Sequence, residues 1–492
     1  MMPSLATIAE EARLAARAVI EYGEGLFHPT LRLGVTGLSG SGKTVFITAL
    51  VHNLLHGGRL PVFEALDSGR IARARLEPQP DDAVPRFDYE NHVSALIGER
   101  LWPHSTRQIS ELRLAIDYQS ARGSARTRTL TLDIVDYPGE WLLDLPLLET
   151  SYAEWSAEAI KLSRLAPRAG LARDWHAHLA TLDAEAPEDE QEALTAARLF
   201  TEYLRACRGD RYAMSLLPPG RFLMPGDLAG SPALTFAPLE IASESAPPSG
   251  SLAAMMARRF EAYKDVVVRP FFREHFARLD RQIVLVDALA SLNAGPAAVA
   301  DLQRALAAIL ACFRAGRRSL LSNLFRPRID RILFAATKAD HLHHTSHDRL
   351  ERILARMTER AIARAKFSGA SVDVVAIAAV RATREARVTR GRETLPSIIG
   401  TPVAGESAGG ETFDGTSEIA VFPGDLPEKP ESLLAPGFAA QPVADASEAD
   451  YRFIRFRPPQ VERTGSAGDS GPILPHIRLD RALQFLLGDK LA

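Results

Sequence analysis

Residues 31–55 read LRLGVTGLSGSGKTVFITALVHNLL. Leu31, Leu33 and Val35 fall on alternate positions, the period of a strand with a buried face. Gly37-Leu38-Ser39-Gly40-Ser41-Gly42-Lys43-Thr44 then fits GxxxxGK[ST] without a mismatch. A helical run over 45–55 follows and stops at Gly57-Gly58, a natural C-terminal breaker. Backbone N–H groups can wrap a polyphosphate only where side chains do not obstruct a tight bend, and Gly37, Gly40 and Gly42 meet that need, with Ser41 in the same cradle. The helix N-terminus aims its unpaired N–H groups at an anion. Lys43 puts a cation on the β- and γ-phosphates, and the Thr44 hydroxyl is a hard-oxygen ligand for Mg²⁺. A glycine-rich turn that binds nothing is the alternative, and the flanking strand and helix weigh against it.

Composition bounds the rest. A chain of 492 residues is too long for one core, so two or three domains are expected. Its 58 basic and 61 acidic residues leave a net charge of −3, which exerts no global pull on nucleic acid or anionic lipid. Cys207 and Cys312 are the only cysteines, too few for a disulfide framework, which fits a reducing compartment. No run approaches the ~20 uninterrupted apolar residues of a membrane span. Glu10 and Glu11 stand where a signal peptide is apolar. The expectation is a soluble cytoplasmic protein with no nucleic-acid partner.

Outward from the glycine loop, residues 4–22 pattern as an amphipathic helix capped by Ser4 and packed on the nucleotide domain. Residues 59–88, rich in Arg, Pro and Asp, read as loop, and 89–101 as a short helix. Alternation over 111–118 and again from Thr127 (Leu130, Leu132, Ile134) predicts an antiparallel hairpin. The second strand ends in Asp136-Tyr137-Pro138-Gly139. An acid just past a buried strand can hold a Mg²⁺ shell, and Gly139 can bring a backbone N–H to a γ-phosphate because no side chain blocks the approach. Residues 147–280 form a helical block too large to be a loop, with a Pro/Gly/Ser-rich stretch over 216–250 and a helix break near Pro270. The α/β pattern resumes with strands at 283–286, 331–336 and 372–377 and helices at 297–314 and 348–366. Residues 400–450 are an ordered excursion or a disordered segment, 451–458 a candidate strand, and 474–490 a closing helix.

The strand at 331–336 runs into Thr337-Lys338-Ala339-Asp340, which has the [NT]KxD form of guanine readers. Guanine presents N1–H and an exocyclic NH₂ together, and one carboxylate accepts from both. Adenine lacks that pair and would leave Asp340 buried and unpaired, a mismatch that can amount to about 10⁴-fold. The stem of Lys338 can pack along the base.

The order of these motifs resembles the Ras-like GTPase core. More narrowly, GLSGSGKT, WPHST, DYPGEW, RQIVLVDALASLNAG, TKADH and FRPP resemble the YcjX-like family of bacterial P-loop proteins, a family associated with stress responses. The resemblance implies an α/β fold: a Ras-like P-loop core with a mixed sheet over 29–146 and 281–398. A helical subdomain is inserted at 147–280, a Gly/Pro-rich extension spans 399–473, and a terminal helix closes the chain after an N-terminal helix within 1–28. It further implies binding of GTP or GDP with Mg²⁺, and a protein partner met through the insertion or the switch segments. Lys43, Thr44, Asp136, Gly139 and Asp340 take the family roles, and Thr337 and Lys338 flank the base. Thr106 is the candidate switch ligand on Mg²⁺, with Ser105 as the alternative. Ala378 stands where a backbone N–H meets guanine O6, without the usual Ser-Ala-Lys. Glu140 occupies the place of the glutamine that orients water. Glutamate cannot donate to the γ-phosphate, so intrinsic hydrolysis is expected to be slow; a solvated glutamate is the alternative. Arg107 and the cluster Arg314, Arg317 and Arg318 are candidate assisting arginines.

Overall fold

Strand β1 (Thr30–Gly37) is the middle of a seven-stranded sheet in the computed structural model. The structure describes residues 29–492 apart from 39, 80, 105–107, 122–126, 242–246, 312–328, 368, 391, 409, 435–452 and 462–471. On one side of β1 lie β4 (Thr127–Asp136), β3 (Ser110–Gln119) and β2 (Ile71–Glu77). On the other lie β5 (Arg281–Val286), β6 (Arg331–Ala336) and β7 (Ser371–Ala376). Strands β4, β1, β5, β6 and β7 are parallel, while β3 runs antiparallel to β4 and β2 antiparallel to β3. The sheet is therefore mixed, with the expected hairpin. Val35 is in register with Asp136, Gly37 with Leu285 and Val286 with Ala336, so the ends of the parallel strands that carry the motifs come to one edge.

Strand β2 corrects the reading of 59–88 as loop. It lies at the sheet edge, where Ile71, Ala74 and Leu76 pack against the core on the Lys43–Leu55 side and Arg75 meets Asp117 of β3 at 2.6 Å. Its alternation, Ala72, Ala74 and Leu76 against Arg73, Arg75 and Glu77, rests mostly on alanine and is masked by the charge that edge strands carry.

Alternate residues of the central strands serve two cores. Leu31, Leu33, Val35, Ile283 and Leu285 pack with Phe46, Ile47 and Leu50 of α1 (Lys43–Leu55). The C-terminal segment adds Leu479, Leu483, Leu486 and Leu487 to that face. Val284, Val286 and Phe334 face the opposite core, which runs without a break into the insertion through Trp155, Phe200, Phe236 and Phe260. Within the insertion, α2 is Tyr152–Ser163, α3 Glu190–Arg208 and α4 Leu252–Tyr263. Ser151 and Glu154 close a reciprocal capping box on α2, and Asp189 caps α3. The expected break near Pro270 occurs earlier, as a wider helical turn over Lys264–Val268. Pro270 itself sits harmlessly in the first turn of the next helix, Arg269–Glu274.

Further helices of the core are α5 (Pro296–Ala311), α6 (His347–Phe367) and the closing α7 (Leu479–Leu487). Residues 384–398, expected with the nucleotide core, instead contribute β8 (Arg384–Arg390) and β9 (Glu393–Gly400) to a small antiparallel sheet completed by Ile419–Val421. Phe456 pairs with Pro402 in one bridge and fills the core of this unit with Ile398, Val421 and Ile454. No helix among the described residues is long and apolar enough to cross a membrane. The expected N-terminal helix at 4–22 lies outside the described residues.

Candidate nucleotide site

The loop between β1 and α1 is built as a cradle. A Cβ on Gly37 would lie 2.2 Å from Ser41 Oγ and 2.7 Å from Leu285 O, so the turn admits no side chain there. Gly40 and Gly42 have φ of 75° and 80°, the left-handed region that favours glycine. Ser41 N–H closes the turn on Leu38 O at 3.1 Å. Gly42 caps α1, which has no side-chain cap and no acid in its first turn, so the positive end of the helix is left to an anion. The buried Ser41 Oγ has no hydrogen-bond partner among the described residues. Lys43 folds back over the loop and donates to Gly37 O at 3.1 Å, which stands its ammonium at the cradle. Thr44 and Asp136 are both buried, one in the first turn of α1 and the other at the end of β4, beside β1. Amides, a lysine and two hard-oxygen donors fit a polyphosphate with Mg²⁺.

Gly139 packs directly on this loop. Its Cβ would fall 2.3 Å from Gly37 O and 2.9 Å from Leu38 N, so any larger residue would push the two segments apart. The chain then enters a 3₁₀ helix, Gly139–Glu149, that is almost wholly buried under the insertion. Glu140 is 4% exposed, which rules out the solvated glutamate. Its Oε1 lies 4.0 Å from Arg208 Nη1 at the end of α3, and the backbone of Gly220 rests against its own. Asp144 accepts from Gly220 N–H at 2.7 Å and from Tyr263 OH at 2.6 Å. Burial pushes the Asp144 carboxyl up to about 7 against the pull of both donors. Arg221 lies over the ring of Trp141, 3.3 Å from its centroid. None of Arg208, Gly220, Arg221 and Tyr263 was legible in the sequence, because the insertion carries no local motif and these contacts join distant residues.

At the other end of the edge, Thr337 N–H donates to Val286 O at 2.9 Å. Lys338 has φ of 60° and pairs with the carboxylate of Asp287. Asp287 also caps the helix Ala288–Ala294 through Ala290 N–H, and its Oδ2 is 4.0 Å from where a Cβ on Gly40 would be. It thus sits between the phosphate loop and Thr337-Lys338-Ala339-Asp340, bonded to Lys338 of the latter. Its only signal in the sequence is an acid at the end of a strand. Asp340 is 4% exposed; its Oδ2 accepts from Ala382 N–H at 2.8 Å and its backbone oxygen from Thr383 Oγ1. Ala378 differs from expectation: its N–H donates to Ile477 O at 3.1 Å and its carbonyl accepts from Ile477 N–H at 2.8 Å. The C-terminal segment has taken the amide that was expected to meet a base. Ser105, Thr106, Arg107, Arg314, Arg317 and Arg318 lie outside the described residues.

The model of the YcjX-like family, DUF463, matches residues 31–491. The chain belongs to the YcjX-like family. This YcjX-like chain is 39% identical over 475 residues to the Ras-like GTPase YcjX of Escherichia coli (strain K12), covering 94% of this chain and 96% of that protein. It is 36% identical over 502 residues to the Ras-like GTPase YcjX of Shewanella oneidensis, covering 96% and 98%. A chain of the signal recognition particle receptor SRb-GTP/SRX complex from Chaetomium thermophilum is 13% identical with a TM-score of 0.23, over 74% of this chain and 93% of that one, a likeness too slight to bear weight. The YcjX-like chain has an α/β, Ras-like P-loop core.

Proposed function

We propose that the protein binds GTP and GDP with Mg²⁺, hydrolyses GTP slowly, and works as a nucleotide-dependent switch. The observation that carries this reading is the contact of Gly139 with Gly37. The segment that would sense a γ-phosphate touches the phosphate loop on one side and the insertion on the other. The names of the two relatives support GTP as the nucleotide.

In this reading the loop amides and Lys43 hold the phosphates, while Thr44 and Asp136 hold Mg²⁺, with Thr106 the expected third ligand. Bound Mg²⁺ would neutralise charge between the β- and γ-phosphates. Gly139 N–H reports the γ-phosphate, and Glu140 lies next to the reacting end. Glu140 can accept a proton from water but cannot donate, and its charge opposes the phosphate, so hydrolysis is slow. Asp340, held dry by Ala382 and Thr383, selects guanine. A protein partner reads the state through the insertion or the switch segments. Action in the cytoplasm, in a bacterial stress response, belongs to the same proposal.

An ATP-dependent enzyme on the same loop is the competing reading, and it leaves Asp340 only its bond to Ala382 N–H. Paired titrations of GTP and ATP against wild type and Asp340→Asn separate the two. The expected result is guanine preference in wild type and xanthine preference in the variant. Equal affinity for ATP and GTP, or an unchanged preference in Asp340→Asn, would remove Asp340 from base reading.

A further inference from the structure

A second set of ligating groups lies on the far side of Asp340. His343 and His344 follow it by three and four positions, and Glu385 follows Ala382, the amide that holds its carboxylate, by three. The ligand atoms of these three side chains all lie within 4.8 Å of one another. His344 Nδ1 is 2.6 Å from Glu385 Oε2, and His343 Nε2 is 3.9 Å from the same oxygen. The two rings are tilted by 37° with centroids 4.2 Å apart, so both turn toward one carboxylate.

The arrangement has features of a ligand set rather than of a single ion pair. One imidazole suffices to satisfy Glu385, yet two converge on it. His343 is 5% exposed, and its Nδ1 lies 3.0 Å from Thr345 Oγ1. Thr345 fixes the ring through Nδ1, with its N–H at 3.5 Å and its Oγ1 at 3.0 Å, and Nε2 faces Glu385; a cation is held there in the tautomer whose Nδ1–H donates to Oγ1. Arg381 Nη2 stands 3.6 Å from Glu385 Oε1, the other carboxylate oxygen, leaving Oε2 to the histidines. Ligands placed around a tetrahedral Zn²⁺ at about 2.0–2.2 Å are roughly 3.3 Å apart, and shifts of about an ångström bring these three atoms to that spacing.

We propose that His343, His344 and Glu385 bind a first-row divalent cation, Zn²⁺ by their chemistry, which fastens the segment after Asp340 to the segment after β7. Two histidines and a carboxylate leave a fourth position for water. The two fastened segments are the ones that fix Asp340: Ala382 and Thr383 meet it just before Glu385. Cation binding and guanine binding are then linked, and by reciprocity each strengthens the other. The linkage rests on the guanine reading of Asp340, whereas the metal site stands without it.

The test uses the full chain stripped with a chelator and no nucleotide. Zn²⁺ is titrated by calorimetry, and Co²⁺ by its visible absorption. His344 is 59% exposed, so His344→Ala leaves the fold intact, and Glu385→Gln keeps the shape of the side chain. The expected result is one equivalent bound by wild type, with at least tenfold weaker binding in each variant at unchanged Tm. Absence of binding in wild type, or equal affinity in all three proteins, overturns the site. GDP titration with and without Zn²⁺ then reads the linkage: tighter GDP binding in wild type but not in His344→Ala supports it, and an unchanged affinity overturns it. If GDP does not bind at all, the nucleotide reading has failed, and the Zn²⁺ titration still decides the site.

Discussion

Glu140 and Asp144, four residues apart in the same 3₁₀ helix, are both buried beneath the insertion and are satisfied differently. Asp144 has two donors, while Glu140 has Arg208 at 4.0 Å and an Oε2 with no partner among the described residues. A buried carboxylate with so thin a set of partners is an expensive thing to keep next to a phosphate site. Glu140→Gln removes the charge and supplies a donor for the γ-phosphate, so single-turnover GTP hydrolysis should rise by about tenfold; equal or slower turnover would show that Glu140 does not face the reaction. Asp144 makes a pH prediction. Its carboxyl is raised from 3.8 to about 7, so the folded chain keeps a proton that the unfolded chain has released between those values. Stability therefore falls as pH rises through that window and levels off above it. Between pH 5 and pH 8 the loss from this group is about 2–3 kcal/mol. Asp144→Asn keeps both contacts, with Tyr263 as acceptor, and should flatten that part of the profile in urea unfolding at the two pH values. A profile identical to wild type would mean that Asp144 is ionised throughout.

Elements show where the sequence speaks and where it falls silent. Strand β1, the glycine loop and α1 were legible because each obeys a local rule: alternation, glycine where a Cβ would clash, and a helix that begins on a left-handed residue. Strand β2 was not, because its apolar period is carried mostly by alanines set among arginines, a weak signal inside a charged stretch. The small sheet of β8 and β9 was read in part as nucleotide core, because its pairing with Ile419–Val421 is long-range and leaves no local mark. Thr337, Lys338 and Asp340 could be picked out by their pattern, but Asp287 could not, since an acid at a strand end is common. The insertion was visible only as helix. Besides the shared apolar core, a buried pair attaches it: Arg168 meets Asp301 of α5 at 2.6 Å, and Asp301 also accepts from Ser215 and Leu216 N–H. Asp301→Ala strands a buried guanidinium and two amides and should cost about 3–5 kcal/mol in chemical denaturation. A loss under about 1 kcal/mol would mean that water replaces the carboxylate.

The whole molecule is a sheet with two unlike faces. One packs α1 and the closing helix α7, locked by Arg281, whose guanidinium reaches Asp489 at 2.6 Å through both terminal nitrogens. The other continues into the insertion, so the segment after Gly139 cannot move without disturbing an aromatic core. In the proposed switch, this continuity is what would connect nucleotide state to the surface a partner meets. Everything rests on a magnesium triphosphate held between Gly37 and Thr44 with its base against Asp340. The most direct test is a crystal structure of the full chain with a non-hydrolysable GTP analogue and Mg²⁺. The account predicts phosphate oxygens on the amides of residues 40–44 and on Lys43, Mg²⁺ on Thr44, and N1 and N2 of guanine on the Asp340 carboxylate. A nucleotide bound on another surface, or an empty cradle at saturating analogue, would contradict it.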